Sequence, residues 1–154
     1  MSLCLHQQVF YMSKLIIAGS RNCSNYLLVA HESLRFIIKH KLGIPTIVSG
    51  TADGADKLGE KFANQYGLSV ERCPANWDRY GKMAGMIRNR KMAMIATHCI
   101  VFWDGYSRGS YNMIELATEY ELVLNVVKYE QRPIIVSNIS GQYSGIGGSC
   151  HTAI

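Results

Sequence analysis

Short apolar runs alternate with amphipathic stretches along this chain. Lys14 to Ala18, Thr46 to Ser49, Leu68 to Cys73, His98 to Trp103 and Arg132 to Val136 are the predicted strands. The unbroken apolar run of Lys14 to Ala18 is the pattern of a parallel strand buried on both faces. Between them the apolar residues recur at helical spacing. Ser24 or Asn25 opens a stretch carrying Leu27, Leu28, Leu34, Ile37 and Ile38 that ends near Gly43-Ile44-Pro45. Further helices are predicted over Ala55 to Tyr66, Ala84 to Thr97 and Ser110 to Val127, with Pro74 to Lys82 irregular. Strands alternating with helices predict an α/β fold: a Rossmann-like, doubly wound, mostly parallel five-stranded sheet with helices on both faces. The expected strand order is 3-2-1-4-5. The domain is expected to span residues 14–136, after an extension at 1–13 and before a Gly/Ser-rich tail at 137–154.

Composition narrows the classes. The chain has 154 residues, 48% hydrophobic and 18% charged, with 14 Gly and 3 Pro. That excludes disorder over most of the length and any collagen-like chain. No apolar run approaches the ~20 residues that cross a bilayer, so no membrane partner is expected. The net charge of +5 leans toward acidic partners such as phosphates or nucleic acid, although a few surface lysines give the same figure. Five cysteines, Cys4, Cys23, Cys73, Cys99 and Cys150, form no CxxC and no zinc-type spacing. Reduced thiols in a cytoplasmic protein are expected, with no metal and no cofactor. Residues 1–12 lack the basic and apolar regions of a signal peptide.

In a doubly wound sheet, ligands bind beyond the carboxyl ends of the strands, where the strand order reverses. The residues that follow each strand are therefore the candidates. Gly19-Ser20-Arg21 can bring bare backbone, a hydroxyl and a charge to a phosphate, or it is an ordinary turn. Ser49-Gly50-Thr51-Ala52-Asp53-Gly54 is a small-residue loop opening a helix, and helix N-termini attract anions. It lacks the Lys-Ser/Thr pair of a Walker loop. Asp53 can accept from a ribose hydroxyl, and Asp56 reads as a carboxylate favoured by the helix dipole. Trp77 and Tyr80, beside Gly81 and Lys82, offer stacking surfaces, while Trp77 also reads as a plug beneath a long loop. Arg88 and Asn89 follow Gly85 closely. Asp104 ends a strand, and Ser107, Arg108, Gly109 and Ser110 form a second candidate anion cradle. Glu115, Glu119 and Glu121 read as a solvated face.

Six motifs stand in order: Gly-Ser-Arg at 19–21, Ser-Gly-x-Ala-x-Gly-Ala-Asp at 49–56, Pro-Ala-x-Trp at 74–77, Tyr-Gly-Lys-x-Ala-Gly at 80–85, Arg-Asn at 88–89 and Asp-Gly-x-Ser-x-Gly at 104–109. Together they resemble the YspA-like branch of the SLOG superfamily, Rossmann-like proteins related to the LONELY GUY phosphoribohydrolases and to DprA. The resemblance covers about residues 14–136 and implies a nucleotide or nucleotide-derived ligand: a nucleoside monophosphate, an ADP-ribose derivative or a related signal. The LONELY GUY enzymes use an Arg and a Glu on the N-glycosidic bond. Arg90-Lys91 and Met94 match the first of their motifs, but the position matching the Glu is Met113. Glu115 lies about 200° further round the helix and is expected to face elsewhere. Thr51 replaces a glycine common in that loop. Catalysis is thus left open, with Asp104 and Arg90 as candidates for a divergent N-glycoside hydrolase. A sensor or sequestering protein fits the same residues. The alternative is DprA-like binding of single-stranded nucleic acid. The resemblance also implies a homo-oligomer, through a last helix apolar on several faces at Ile114, Leu116, Ala117, Leu122, Leu124, Val126 and Val127.

Overall fold

The computed structural model describes residues 13–130. The elements run β1 (Lys14–Gly19), α1 (Tyr26–Lys39), β2 (Thr46–Ser49), α2 (Ala55–Gln65), β3 (Val70–Arg72), α3 (Trp77–Tyr80), a 3-10 turn (Gly81–Met83), α4 (Ala84–Ile95), β4 (His98–Trp103), α5 (Arg108–Glu119) and β5 (Val123–Lys128). All five strands are parallel, in the expected order β3-β2-β1-β4-β5. Thus β1 lies between β2 and β4, and the chain crosses from one half of the sheet to the other at the β1/β4 boundary. No described helix is long and apolar enough to cross a membrane.

Strand alternation divides the core in two. Leu15, Ile17, Ile47, Ile100 and Phe102 face α1 and α2, where Val29, Phe36, Phe62 and Ala63 close over them. Ile16, Ala18, Val48, Cys99 and Val101 face the other way, onto Met92 and Ala93 of α4 and Met113, Leu116 and Ala117 of α5. Neighbouring residues of one strand therefore serve opposite layers. Gly59 lets α2 settle directly on β1, because a Cβ there would stand 2.8 Å from Ile17 Cβ.

Two expectations need correction. The long helix from Ser110 to Val127 does not form: α5 ends at Glu119, and Val123–Lys128 is the fifth strand, paired in register with β4 from His98↔Val123 to Trp103↔Lys128. The reversal is a left-handed C-terminal cap, with Glu121 at φ 54 and the Leu122 N–H donating to Ala117 O at 2.8 Å. Hence Leu122, Leu124, Val126 and Val127 are not on a helix, and a helix apolar on several faces is not there to support self-association. The strand expected at Arg132 to Val136, the tail at 137–154 and the extension up to residue 12 lie outside the described residues. The second correction is smaller. The segment at 74–82 is not wholly irregular, since Asn76 caps the short α3 by accepting from Arg79 N–H at 2.9 Å.

The loop after β2 holds a β-branched residue in an unfavourable conformation: Thr51 has φ 61. Its N–H donates to Ser49 Oγ at 3.0 Å, and Ser49 Oγ donates to Glu60 Oε1 at 2.8 Å. Arg72 in turn pairs with Glu60 at 2.9 Å. A chain of bonds centred on the buried Ser49–Glu60 pair thus fixes the loop.

Two stability measurements follow. Gly59→Ala, although it improves helix propensity, should destabilise by about 1–3 kcal/mol through overpacking on Ile17, seen as a lower urea midpoint at constant m-value. Thr51→Gly should stabilise by about 1 kcal/mol and raise that midpoint, the released backbone strain exceeding glycine's entropy cost.

Candidate functional site

The floor of the site is the meeting of the β1 and β4 ends. At Gly19 a Cβ would stand 2.1 Å from Phe102 O and 2.9 Å from Ala55 Cβ, so only glycine lets the β4 end and the α2 start approach so closely. The buried Ser20 N–H donates to Phe102 O at 2.9 Å. Its Oγ accepts from the Asp104 N–H at 3.2 Å and lies 3.2 Å from Ser110 Oγ. One serine thereby ties the β1 loop to the β4 loop and to α5. Gly54, at φ 77, completes the floor; a Cβ there would stand 2.3 Å from Ser20 O.

Above this floor Arg88 joins elements from both faces of the sheet. Its side chain, only 12% exposed, comes from α4, pairs with Asp56 of α2 at 3.4 Å and donates to Gly50 O in the β2 loop. Its Nε donates to Asn89 Oδ1 at 2.9 Å. Asn89 then donates to Gly109 O at 3.1 Å and Asn112 Oδ1 at 3.2 Å, fixing the start of α5. Gly50 leaves room for the clamp: a Cβ there would stand 1.8 Å from Arg88 Nη1. Burial pushes the Asp56 carboxyl up to about 6, against the pull of Arg88 and of the backbone N–H groups of Ala52, Gly19 and Gly50.

The cleft over this clamp has two lobes that share Arg21, Ala52, Trp77 and Arg88. One, of ≈ 490 Å³, is walled by Gly50, Thr51 and Asp53 of the β2 loop and by Pro74 and Ala75. The other, of ≈ 520 Å³, runs over Gly19 and between α4 and α5, past Lys82, Asn89 and the start of α5 from Ser107 to Ser110. Ser107 is the N-cap of α5, accepting from Ser110 N–H at 3.4 Å. The side chains of Arg21, Lys82 and Arg108 make no ion pair or hydrogen bond with the described residues. Trp77 is 50% exposed and Tyr111 49%. The core-plug reading of Trp77 does not hold, because half its ring is in solvent; its edge rests over Gly85, whose Cβ would stand 3.5 Å away.

Several candidates stand elsewhere. Ser20, Ser49 and Gly54 support the floor and the β2 loop rather than line the cleft. Tyr80 and Gly81 lie outside both lobes, Tyr80 carrying Arg79 5.1 Å over its ring and Gly81 forming the turn at φ 49. Arg90 points away, to Glu119 Oε1 and Tyr120 OH, both at 3.3 Å. Asp104 opens onto a neighbouring depression, not the cleft. Its Oδ1 accepts from the N–H of Tyr106 at 3.0 Å and of Ser107 at 2.8 Å, and its Oδ2 from Asn22 at 2.9 Å. Partial burial would raise this carboxyl, but the bonds from Ser107, Tyr106, Asn22 and Ser20 hold it down at about 2. It caps the loop and stays ionised.

Two carboxylates escape a reading by motif. Asp56 is not merely a dipole-favoured surface group but the buried partner of Arg88. Glu115, expected to face elsewhere, borders the cleft, because it shares a helix face with Tyr111 and Asn112, four and three residues before it. Met113 is 1% exposed and packs into the core at the cleft's edge. Among the described residues no group of three His, Cys, Asp or Glu is placed to hold a metal, and Cys23, Cys73 and Cys99 are free and buried.

Comparison with known proteins agrees with this architecture. The family model described as YspA, cpYpsA-related SLOG family matches residues 13–80. The Gene 61 protein of Mycobacterium phage D29 is 31% identical over 105 residues, an alignment spanning 64% of this chain and 83% of that protein. Among solved structures, DNA processing protein A (DprA) from Streptococcus pneumoniae superposes with a TM-score of 0.61 at 22% identity, over 79% of this chain. The chain spans about half of DprA, 52% of its length, and the likeness is one of fold. The β1 and β2 loops that shape the cleft lie within the matched stretch, and on these matches the chain belongs to the YspA, cpYpsA-related SLOG family.

Proposed function

We propose that the cleft binds a nucleotide or a nucleotide-derived ligand and holds it without cleaving it, as a sensor or sequestering protein does. The observation that carries this reading is the convergence of Arg21, Lys82 and Arg108, unengaged by the described residues, on one cleft that also holds the start of α5. Free N–H groups and a positive dipole end favour a phosphate there. The half-exposed faces of Trp77 and Tyr111 suit a base or sugar ring. Asp53, at the rim of the β2 lobe, can accept from a ribose hydroxyl. Serines and backbone amides provide orientation without adding negative charge.

Holding without cleavage follows from the carboxylates. Glycosidic hydrolysis needs a carboxylate beside an oxocarbenium-like carbon. Met113 supplies none, Asp104 is bonded to its own loop, Asp56 is committed to Arg88, Asp53 is assigned here to the ribose, and Glu115 stands exposed.

The decisive measurement is calorimetric titration with a nucleoside monophosphate, with chromatography of the recovered ligand. Binding with intact ligand supports the reading, and a free base with ribose phosphate makes the protein a hydrolase. Arg108→Ala and Arg21→Ala should each weaken binding about tenfold, as expected for lost charge-assisted bonds. If a single-stranded oligonucleotide binds instead, with a steep salt dependence, the DprA-like alternative replaces this reading.

The Asp56–Arg88 pair sets a pH dependence. Above about 6 the carboxylate is ionised and neutralises Arg88; below it the carboxyl is protonated and the guanidinium charge is uncompensated. Affinity for a phosphodiester probe of constant charge should therefore rise as pH falls from 7.5 to 5.5, and Asp56→Asn should flatten the profile. The sign for stability is the same. The folded-state value is raised, so Asp56's contribution is full below the unfolded value near 4 and is lost as pH rises through about 6.

A further inference from the structure

Beside the cleft, at the carboxyl ends of β4 and β5, lies a depression of ≈ 730 Å³ walled by Asn22, Trp103, Asp104, Tyr106, Lys128 and Tyr129. We propose that it is a second nucleoside subsite, so that the ligand is a dinucleotide: two nucleosides joined through phosphates at the start of α5. This deepens the nucleotide reading of the cleft and rests on it.

Three observations carry the inference. The first is a fixed aromatic wall. Trp103 is held by donation from Nε1 to Ser107 O at 3.2 Å and by Tyr111, whose ring lies 5.7 Å away, with Lys128 Nζ 5.3 Å over its face. On the same depression, Tyr106 is 91% exposed on a backbone pinned by Asp104. The loop's backbone is already ordered, so stacking would have to fix only the phenol itself.

The second is the polar edge. Tyr129 OH donates to Asn22 Oδ1 at 2.7 Å, and Asn22 donates to Asp104 Oδ2 at 2.9 Å. Burial pushes the Tyr129 phenol up to about 12, so it keeps its proton and remains a donor. Asp104 and Glu130 set two negative charges against the one of Lys128. That balance is wrong for a phosphate and suits the amino groups and hydroxyls of a nucleoside.

The third is continuity. Trp103 to Tyr106 face the depression, while Ser107 to Ser110 face the cleft. The Trp103–Tyr111 contact spans the two, since Tyr111 borders the cleft. Phosphates at the N–H groups of Arg108 and Gly109 therefore have a nucleoside-sized space on each side.

The test is titration of the full chain with ADP and with P1,P2-di(adenosine-5′) diphosphate, which differ by one nucleoside. The dinucleotide should bind about 10- to 100-fold more tightly, the span expected for one stacked base. Tyr106→Ala, at a position exposed enough to leave folding untouched, should remove most of that ratio and leave ADP affinity within twofold. Lys128→Ala should reduce the ratio in the same way. Equal affinities for the two ligands, or a ratio unmoved by both variants, overturn the subsite and leave the cleft reading standing. Failure of both ligands to bind overturns the nucleotide reading itself, and the subsite with it.

Discussion

The site depends on one buried ion pair that joins the two sides of the sheet. Asp56 belongs to the layer of α1 and α2, and Arg88 to the layer of α4 and α5. The two layers pack on opposite faces and share no core cluster. Beyond the strand ends, the Arg88 side chain crosses from one to the other, reaching Asp56 and Gly50 O. Such a pair gains little net stability, because desolvating two charges offsets most of their attraction, and at Asp56 burial outweighs the pull of Arg88. Its worth lies in position. It sets the separation of the β2 loop and α4, and that separation is the width of the cleft.

Small residues surround the pair, each required by a close approach. Gly50 is required by the guanidinium, Gly19 by the closeness of Phe102 and Ala55, and Gly54 by the Ser20 carbonyl. In each case the steric demand comes from a partner distant in sequence. Thr51 is the exception that shows the loop's rigidity. Its left-handed backbone would suit glycine better, yet the Ser49–Glu60–Arg72 chain holds it there. Local strain of this kind persists only where surrounding bonds over-determine the conformation, and here they over-determine a wall of the cleft.

Much of this was legible in the chain. Thr46–Ser49 and His98–Trp103 form strands with the bounds their apolar runs predict, and the strand order follows from the alternation of strands and helices. The α5–β5 junction was not legible, because helix ends are read from glycine or proline and this one turns on a left-handed glutamate, Glu121. The apolar residues of β5 continue the helical spacing by coincidence. Site residues divide in the same way. Loop residues such as Arg21, Ser107 and Arg108 declare themselves by following strands. Asp56 does not, because its buried partner is Arg88, 32 positions away. Arg90 and Arg88, two apart on one helix, point in different directions, and only the packing of α4 on α5 decides which one meets the cleft.

The distribution of negative charge gives the cleft its character. Five carboxylates border it or its neighbour: Asp53, Asp56 and Glu115 on the cleft, Asp104 and Glu130 on the depression. Asp104 is spent on backbone N–H groups and orients the α5 start. Asp56 is spent on Arg88 and, with its carboxyl near neutrality, governs how much positive charge the clamp shows. Glu115 stands exposed at the mouth. A cleaving enzyme needs one carboxylate held against the reacting carbon. At the cleft's edge Met113 offers only a thioether, buried in the apolar layer under α5. On the proposed reading, an apolar residue there lowers the local polarity beside Arg21 and Arg108 and favours retention of an anionic ligand over attack on it.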